Sequence, residues 1–205
     1  MRTYYLGIKH CLKRTPDKSL ISKDPKNGLI VLRSVGKFFG LAGIRLGFVW
    51  TETEILQELA DLQDDWSVSH PTRWVGKKAL ENRTWQQKQR AILPTLSKRL
   101  VSLLEPFILA YDKEKTVKSR GVSFKHSSQV LVSSVIHSTS LFAYFEHKDS
   151  QFIHEGLASK GILTRLFFKT DNQNNAIRFG LAANEQQWKR LQQALETILN
   201  SVGHE

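Results

Sequence analysis

Ser34-Val35-Gly36-Lys37-Phe38-Phe39-Gly40-Leu41-Ala42-Gly43-Ile44-Arg45-Leu46-Gly47 is the stretch on which the reading of this chain turns. Ahead of it, the apolar run Leu29-Ile30-Val31-Leu32 predicts a strand buried on both faces. Behind it, Ile44 to Trp50 predicts a second strand. Between them, Gly36, Gly40, Gly43 and Gly47 let the backbone pass close to a ligand. Ser34 and Lys37 are delivered into that turn, and Arg45 returns eight positions after Lys37. A guanidinium can fork onto a phosphate while a hydroxyl donates to the same group. Phe38 and Phe39 are expected to desolvate Lys37 in part, which favours the neutral, nucleophilic amine. The plainer alternative is a glycine-rich turn with surface cations.

Outward from that stretch, residues 1–28 are basic and turn-rich, punctuated by Pro16, Pro25 and Gly28. Thr51 or Thr53 is expected to cap a helix over Glu54 to Asp64, and His70-Pro71 to start another toward Leu80. From Thr84 to Phe107, Ile92, Leu93, Leu96, Leu100, Leu103, Leu104 and Phe107 recur at helical spacing, with a kink expected at Pro94. Strands are then predicted at Gln129–Val132 and Leu141–Phe145, a helix over Gln151–Lys160, and strands at Ile162–Phe167 and Ala176–Leu181. Asn184 is expected to cap a last helix that buries Trp188, Leu191, Leu195 and Ile198. This order predicts an α/β chain of two parts: residues 1–84, with an atypical start over 1–14, and residues 85–205, a linking helix followed by a small αβ domain.

Composition narrows the classes. The chain has 205 residues, 40% of them hydrophobic and 24% charged, which excludes a wholly disordered chain. Its one cysteine, Cys11, excludes an internal disulfide framework and a cysteine-rich zinc site, and a cytoplasmic protein is expected. The uncharged stretch Ser127 to Phe145 holds many serines, so two strands are expected rather than a membrane span. Nothing at the start reads as a signal peptide. Lys+Arg outnumber Asp+Glu by 30 to 19, but the basic residues are scattered, and no nucleic-acid partner is expected. His126, His137, His147 and His154 fall on separate elements, and no metal site is expected. Cys11 beside His10 lacks an orienting acid for catalysis. Trp66, Trp74 and Trp85 are expected in the core, Trp188 as the anchor of the last helix, and Lys77-Lys78 on a solvated face.

The pattern of a small residue, two positions, Lys, glycine-spaced apolar residues and then Arg-Leu-Gly resembles the lysine signature of the class I/II aminotransferase superfamily, which uses pyridoxal phosphate (PLP). Together, "LIVLRSVGKFFGLAGIRLGFVW", "WSVSHPTRWVGKKAL", "GILTRLF" and "IRFGLA" are similar to the threonine-phosphate decarboxylases of cobalamin biosynthesis, with histidinol-phosphate aminotransferases as cousins. The resemblance implies a PLP-dependent transferase fold of type I, with a partial large domain and a small C-terminal domain. It implies that Lys37 joins the cofactor and then shuttles protons, while Ser34 and Arg45 hold the cofactor phosphate. It assigns Arg178 to the substrate carboxylate and Arg165 to the substrate's phosphate end. It also implies a phosphorylated amino acid as substrate and a homodimer for the complete enzyme. The family carries an Asp for the ring nitrogen upstream of the lysine. The corresponding zone here, Tyr5 to Leu12, has no acid, which leads to the expectation of an N-terminally truncated member with impaired activity. An aminotransferase of the histidinol-phosphate type and a non-catalytic fragment are the alternatives.

Overall fold

A computed structural model describes residues 5–7, 21, 28–64, 66–119, 135–170 and 175–204. The chain divides into two compact units, Met1–Ala91 and Ile92–Glu205.

The first unit is built on a three-stranded sheet. Strand β1 (Tyr5–Gly7) lies parallel to β2 (Leu29–Ser34), and β2 pairs antiparallel with β3 (Gly47–Trp50). The second strand starts at Gly47 rather than Ile44, because Ala42–Ile44 forms a tight 3-10 turn and Arg45 then sits at φ 53°, which extended backbone does not allow. The expectation that β2 is buried on both faces also fails. Val31 is buried, while Leu32 and its cross-strand partner Val49 on the opposite face are exposed, so that face is left open at these positions.

Helix α1 (Thr53–Asp61) is shorter than expected, and neither threonine caps it. Glu52 holds the cap position, and its carboxylate is engaged by the Gly28 N–H instead of the helix's own amides. Helix α2 (His70–Glu81) begins as predicted, with Ser69 Oγ accepting from the Thr72 N–H at 3.3 Å and Pro71 in the first turn, where its missing donor costs nothing. Gly76 turns the inner side of α2 against Leu46, which leaves Trp74 on the outer side at 63% exposure; Trp66, ahead of the helix, is 77% exposed. Both tryptophans are therefore surface residues rather than core. Trp85 is half-buried, and Lys77 and Lys78 are solvent-exposed as read.

Helix α3 (Arg83–Ser119) runs through both Pro94 and Pro106 and well past Phe107. It continues because Ile108 and Tyr111 extend the buried stripe of Leu100, Leu104 and Phe107 by another turn. Burial of that stripe offsets the hydrogen bond that each proline removes.

The second unit carries an antiparallel sheet of order β4-β5-β7-β6, made of β4 (His137–Ser138), β5 (Phe142–Glu146), β6 (Arg165–Phe167) and β7 (Ala176–Gly180). Its core face presents Ala143, Phe145, Ile177 and Phe179 to Ile153 and Leu157 of α4 (Ser150–Ser159) and to Trp188, Leu191, Leu195 and Ile198 of α5 (Glu185–His204). Asn184 Oδ1 accepts from the Gln187 N–H at 3.0 Å, the predicted cap. Strand β6 starts three residues later than Ile162, because Gly161 turns the chain at φ 70° and Leu163 points into solvent at 87% exposure. The predicted strand Gln129–Val132 lies outside the described residues. No described helix is long and apolar enough to cross a membrane, and no described group of three His, Cys, Asp or Glu residues could hold a metal ion.

Two polar ties close this unit. His147 is buried; its Nδ1 accepts from the Asp149 N–H at 3.1 Å, so its Nε2 carries the hydrogen and donates to Asp112 Oδ1 at 2.9 Å. Arg99 forks onto Glu185 while lying 4.6 Å over the Trp188 ring, joining α3 to α5. The hydrogen bond from Arg99 holds the Glu185 carboxyl below the usual carboxylate range. His147→Ala is expected to lower the unfolding free energy by about 2 kcal/mol, read by denaturant titration. Because the folded Glu185 is the stronger acid, its contribution is present at neutral pH and is lost as pH falls through its folded value. Glu185→Gln should therefore narrow the gap in melting temperature between neutral and acidic buffer.

Candidate functional site

The register Ser34↔Gly47 closes residues 35–46 into a loop on the end of the β2–β3 pair. Inside the loop, the Val35 N–H donates to Leu46 O at 3.4 Å, Leu41 N–H to Val35 O at 3.1 Å, and Gly40 N–H to Lys37 O at 3.1 Å. A Cβ added at Gly36 would stand 3.3 Å from Ala42 Cα and 3.6 Å from Ser34 Oγ, so the two limbs meet where only glycine fits without a shift. Ser34 Oγ accepts from the Gly36 N–H at 3.3 Å, and Arg45 Nη1 donates to Ala42 O at 3.2 Å. Ser34 and Arg45 thus flank Gly36 and Ala42, which touch each other.

Lys37, Ser34 and Arg45 are all exposed on this loop. The expected wrapping of Lys37 by its two aromatic neighbours is not present. Phe38 is buried and Phe39 half-buried, because both turn to Trp85, with ring centroids 5.5 and 5.6 Å away. Their burial anchors the loop rather than desolvating the amine. Arg90 closes over Phe38 at 5.2 Å. On the other limb, Thr72 Oγ1 donates to Ile44 O at 3.1 Å, and the Gly76–Leu46 contact seats α2 against the loop. Sequence reasoning missed Thr72 and Gly76; the glycine inside a helix was the available signal.

Arg45 is the one non-glycine residue with positive φ among those described. That conformation costs an L residue about 1–2 kcal/mol and is often found at ligand sites. The loop therefore carries an exposed hydroxyl, ammonium and guanidinium. No Asp or Glu occurs between residues 28 and 51. This donor set suits a phosphate monoester beside a carbonyl that the amine can attack.

The second pair of candidates lies in the other unit. Arg165 and Arg178 are direct cross-strand partners on β6 and β7, and Tyr144 of β5 and His137 of β4 continue the same row. Directly opposed residues share a sheet face, so this row stands opposite the core face. Arg178 lies 4.4 Å over Phe142 and 5.8 Å over Phe167, and Arg165 lies 5.6 Å over Phe167. Among the described residues, no carboxylate comes within 4.0 Å of either guanidinium. Burial, and then the charge of Arg165, push the Arg178 guanidinium below its usual value. The remaining histidines serve structure where they are described: His147 as above, and His154 Nδ1 at 2.7 Å from Thr164 Oγ1. His126 lies outside the described residues, as do Cys11 and its neighbour His10.

Residues 9–195 match the family model described as aminotransferase class I and II. The chain belongs to the class I and II aminotransferase family. It is 38% identical to a threonine-phosphate decarboxylase of Pseudomonas aeruginosa over 88% of this chain and 46% of that protein. It is 32% identical to a threonine-phosphate decarboxylase of a Sinorhizobium species over 83% of this chain and 42% of that protein. The fold is similar to that of histidinol-phosphate aminotransferase from Sinorhizobium meliloti in complex with pyridoxal-5'-phosphate, with TM-score 0.66 and 17% identity over 85% of this chain and 42% of that one. The chain thus spans less than half the length of these relatives, and it carries part of the PLP-dependent aminotransferase fold. Enzymes of the family depend on PLP. The loop of Ser34, Lys37 and Arg45 fits the phosphate and aldehyde ends of that cofactor. No acid in Tyr5–Gly7 of β1, or in the sequence through Leu12, is present to meet its ring nitrogen.

Arg45→Gly relieves the strain of the αL position at residue 45 while removing the cation. Arg45→Gly is expected to melt no lower than the parent chain, and Arg45→Val to be less stable by about 1–2 kcal/mol. Equal destabilisation by both would contradict this account of the loop.

Proposed function

We propose that this chain carries the site of a PLP-dependent decarboxylase that converts L-threonine O-3-phosphate to 1-aminopropan-2-ol O-phosphate, an amino-alcohol phosphate of cobalamin biosynthesis. The observation that carries this reading is the opposed pair Arg165–Arg178, which has no carboxylate neighbour among the described residues. Cross-strand partners stand about 5 Å apart at Cβ, close to the distance between the carboxylate and the phosphate of an amino acid phosphorylated on its β-oxygen. The two decarboxylase relatives support the same substrate class.

In this reading Ser34 Oγ and the Arg45 guanidinium hold the cofactor phosphate, and Lys37 Nζ is the amine that joins its aldehyde. When bound, PLP supplies a ring that draws off the electron pair left on carbon. Arg178 grips the substrate carboxylate in a bidentate fork and so fixes which bond is oriented to break. Arg165 takes the phosphate end. Once the amine is displaced, Lys37 Nζ returns a proton to the carbon that has lost carbon dioxide.

Ser34→Ala and Arg45→Gln should each weaken PLP binding by about 10- to 100-fold, the usual worth of a charge-assisted hydrogen bond. Carboxyl-labelled threonine phosphate should release labelled carbon dioxide without any keto acid, and Arg178→Gln should remove that release. Conversion that depends on a keto acid, with the label retained, would instead favour an aminotransferase. That is the second reading, and the family description leaves it open.

A further inference from the structure

Phe167 sits beside both members of the Arg165–Arg178 pair. Its ring centroid is 5.6 Å from the Arg165 guanidinium carbon and 5.8 Å from that of Arg178. Tyr144, the cross-strand partner of Arg178 on its other side, meets the same ring edge-on at 5.8 Å and 72°. Phe142 adds a second ring, 4.4 Å from Arg178. Two like charges directly opposite on an antiparallel ladder repel each other, and left alone their side chains splay apart into solvent. The negative faces of Phe142 and Phe167 supply the opposing electrostatics that no described carboxylate provides.

We propose that Phe167 is a positioning residue. Its π face holds Arg165 and Arg178 together as one anion clamp before any ligand arrives, and so sets the preference for a ligand with two anionic groups over one with a single anionic group. This rests on the reading that the pair holds the carboxylate and phosphate of a phosphorylated amino acid. Preorganisation of this kind raises affinity by removing the ordering cost at binding. It acts twice when both guanidiniums are engaged and once when only one is. The burial that already depresses Arg178 agrees with a partly desolvated setting in which such contacts are strong.

The test uses the full chain and calorimetric titration with O-phospho-L-threonine and with L-threonine. Phe167→Leu keeps the apolar bulk and removes the π face, and Phe167→Tyr keeps both. Phe167→Leu is expected to bind the phosphorylated ligand about 5- to 30-fold more weakly, with a smaller loss for threonine, and Phe167→Tyr to stay within about twofold of the parent. A packing role alone predicts that leucine serves as well as tyrosine. Unchanged binding by Phe167→Leu, alongside lost binding by Arg178→Gln, overturns the proposal and leaves the substrate reading standing. Equal loss in Phe167→Leu and Phe167→Tyr overturns it in favour of shape. A parent chain that binds no phosphothreonine, or an Arg178→Gln chain that binds as well as the parent, removes the substrate reading and the proposal with it. If Phe167→Leu melts far below the parent chain, Phe167→Met carries the same comparison.

Discussion

The pairing of Ser34 with Gly47 is the contact on which the first unit's chemistry depends. It closes residues 35–46 into a loop whose two limbs touch at Gly36 and Ala42. Once the limbs touch, Ser34 and Arg45 lie on either side of that contact, although eleven positions separate them in sequence. Everything else around the loop keeps it closed. Phe38 and Phe39 pin one limb to Trp85, while Thr72 and Gly76 of α2 pin the other through Ile44 and Leu46. The strained backbone of Arg45 persists because its neighbours on both sides are fixed. The aromatic residues next to the lysine thus work on position, and leave the amine itself at the surface.

The second unit applies the same logic to a flatter scaffold. Alternation along β5 and β7 sends Phe145, Ile177 and Phe179 into the core and Phe142, Tyr144 and Arg178 to the other face. Register then decides which charges meet. Arg165 opposes Arg178 because β6 and β7 pair as they do, and among the described residues the electrostatic cost of that meeting is balanced by aromatic faces rather than by acids within 4.0 Å. A site arranged this way is complementary to an anion before it meets one.

The loop was legible in the sequence because its glycine spacing, its lysine and its arginine are local and rare in combination. The last helix was legible too, since Asn184 and the stripe of Trp188, Leu191, Leu195 and Ile198 carry both a start signal and a period. What escaped depends on tertiary partners. Trp66 and Trp74 have the composition of core residues, but Gly76 takes the inner side of α2 and leaves Trp74 outside. Glu52 takes the cap position expected of a threonine, and its carboxylate is held by a distant amide, that of Gly28. Helix α3 outruns its predicted end because Ile108 and Tyr111 continue the buried stripe beyond Phe107. The role of Phe167 could not be read from spacing at all, since it exists only once two strands are in register.

Lys37 is proposed as the amine to which the cofactor joins. Incubation of the purified chain with PLP, borohydride reduction and peptide mapping tests it most directly. The account predicts a single stoichiometric label on Lys37 that inorganic phosphate competes away through Ser34 and Arg45. Label spread over Lys77, Lys78 and other surface lysines in proportion to their exposure, with no excess at Lys37, would contradict it.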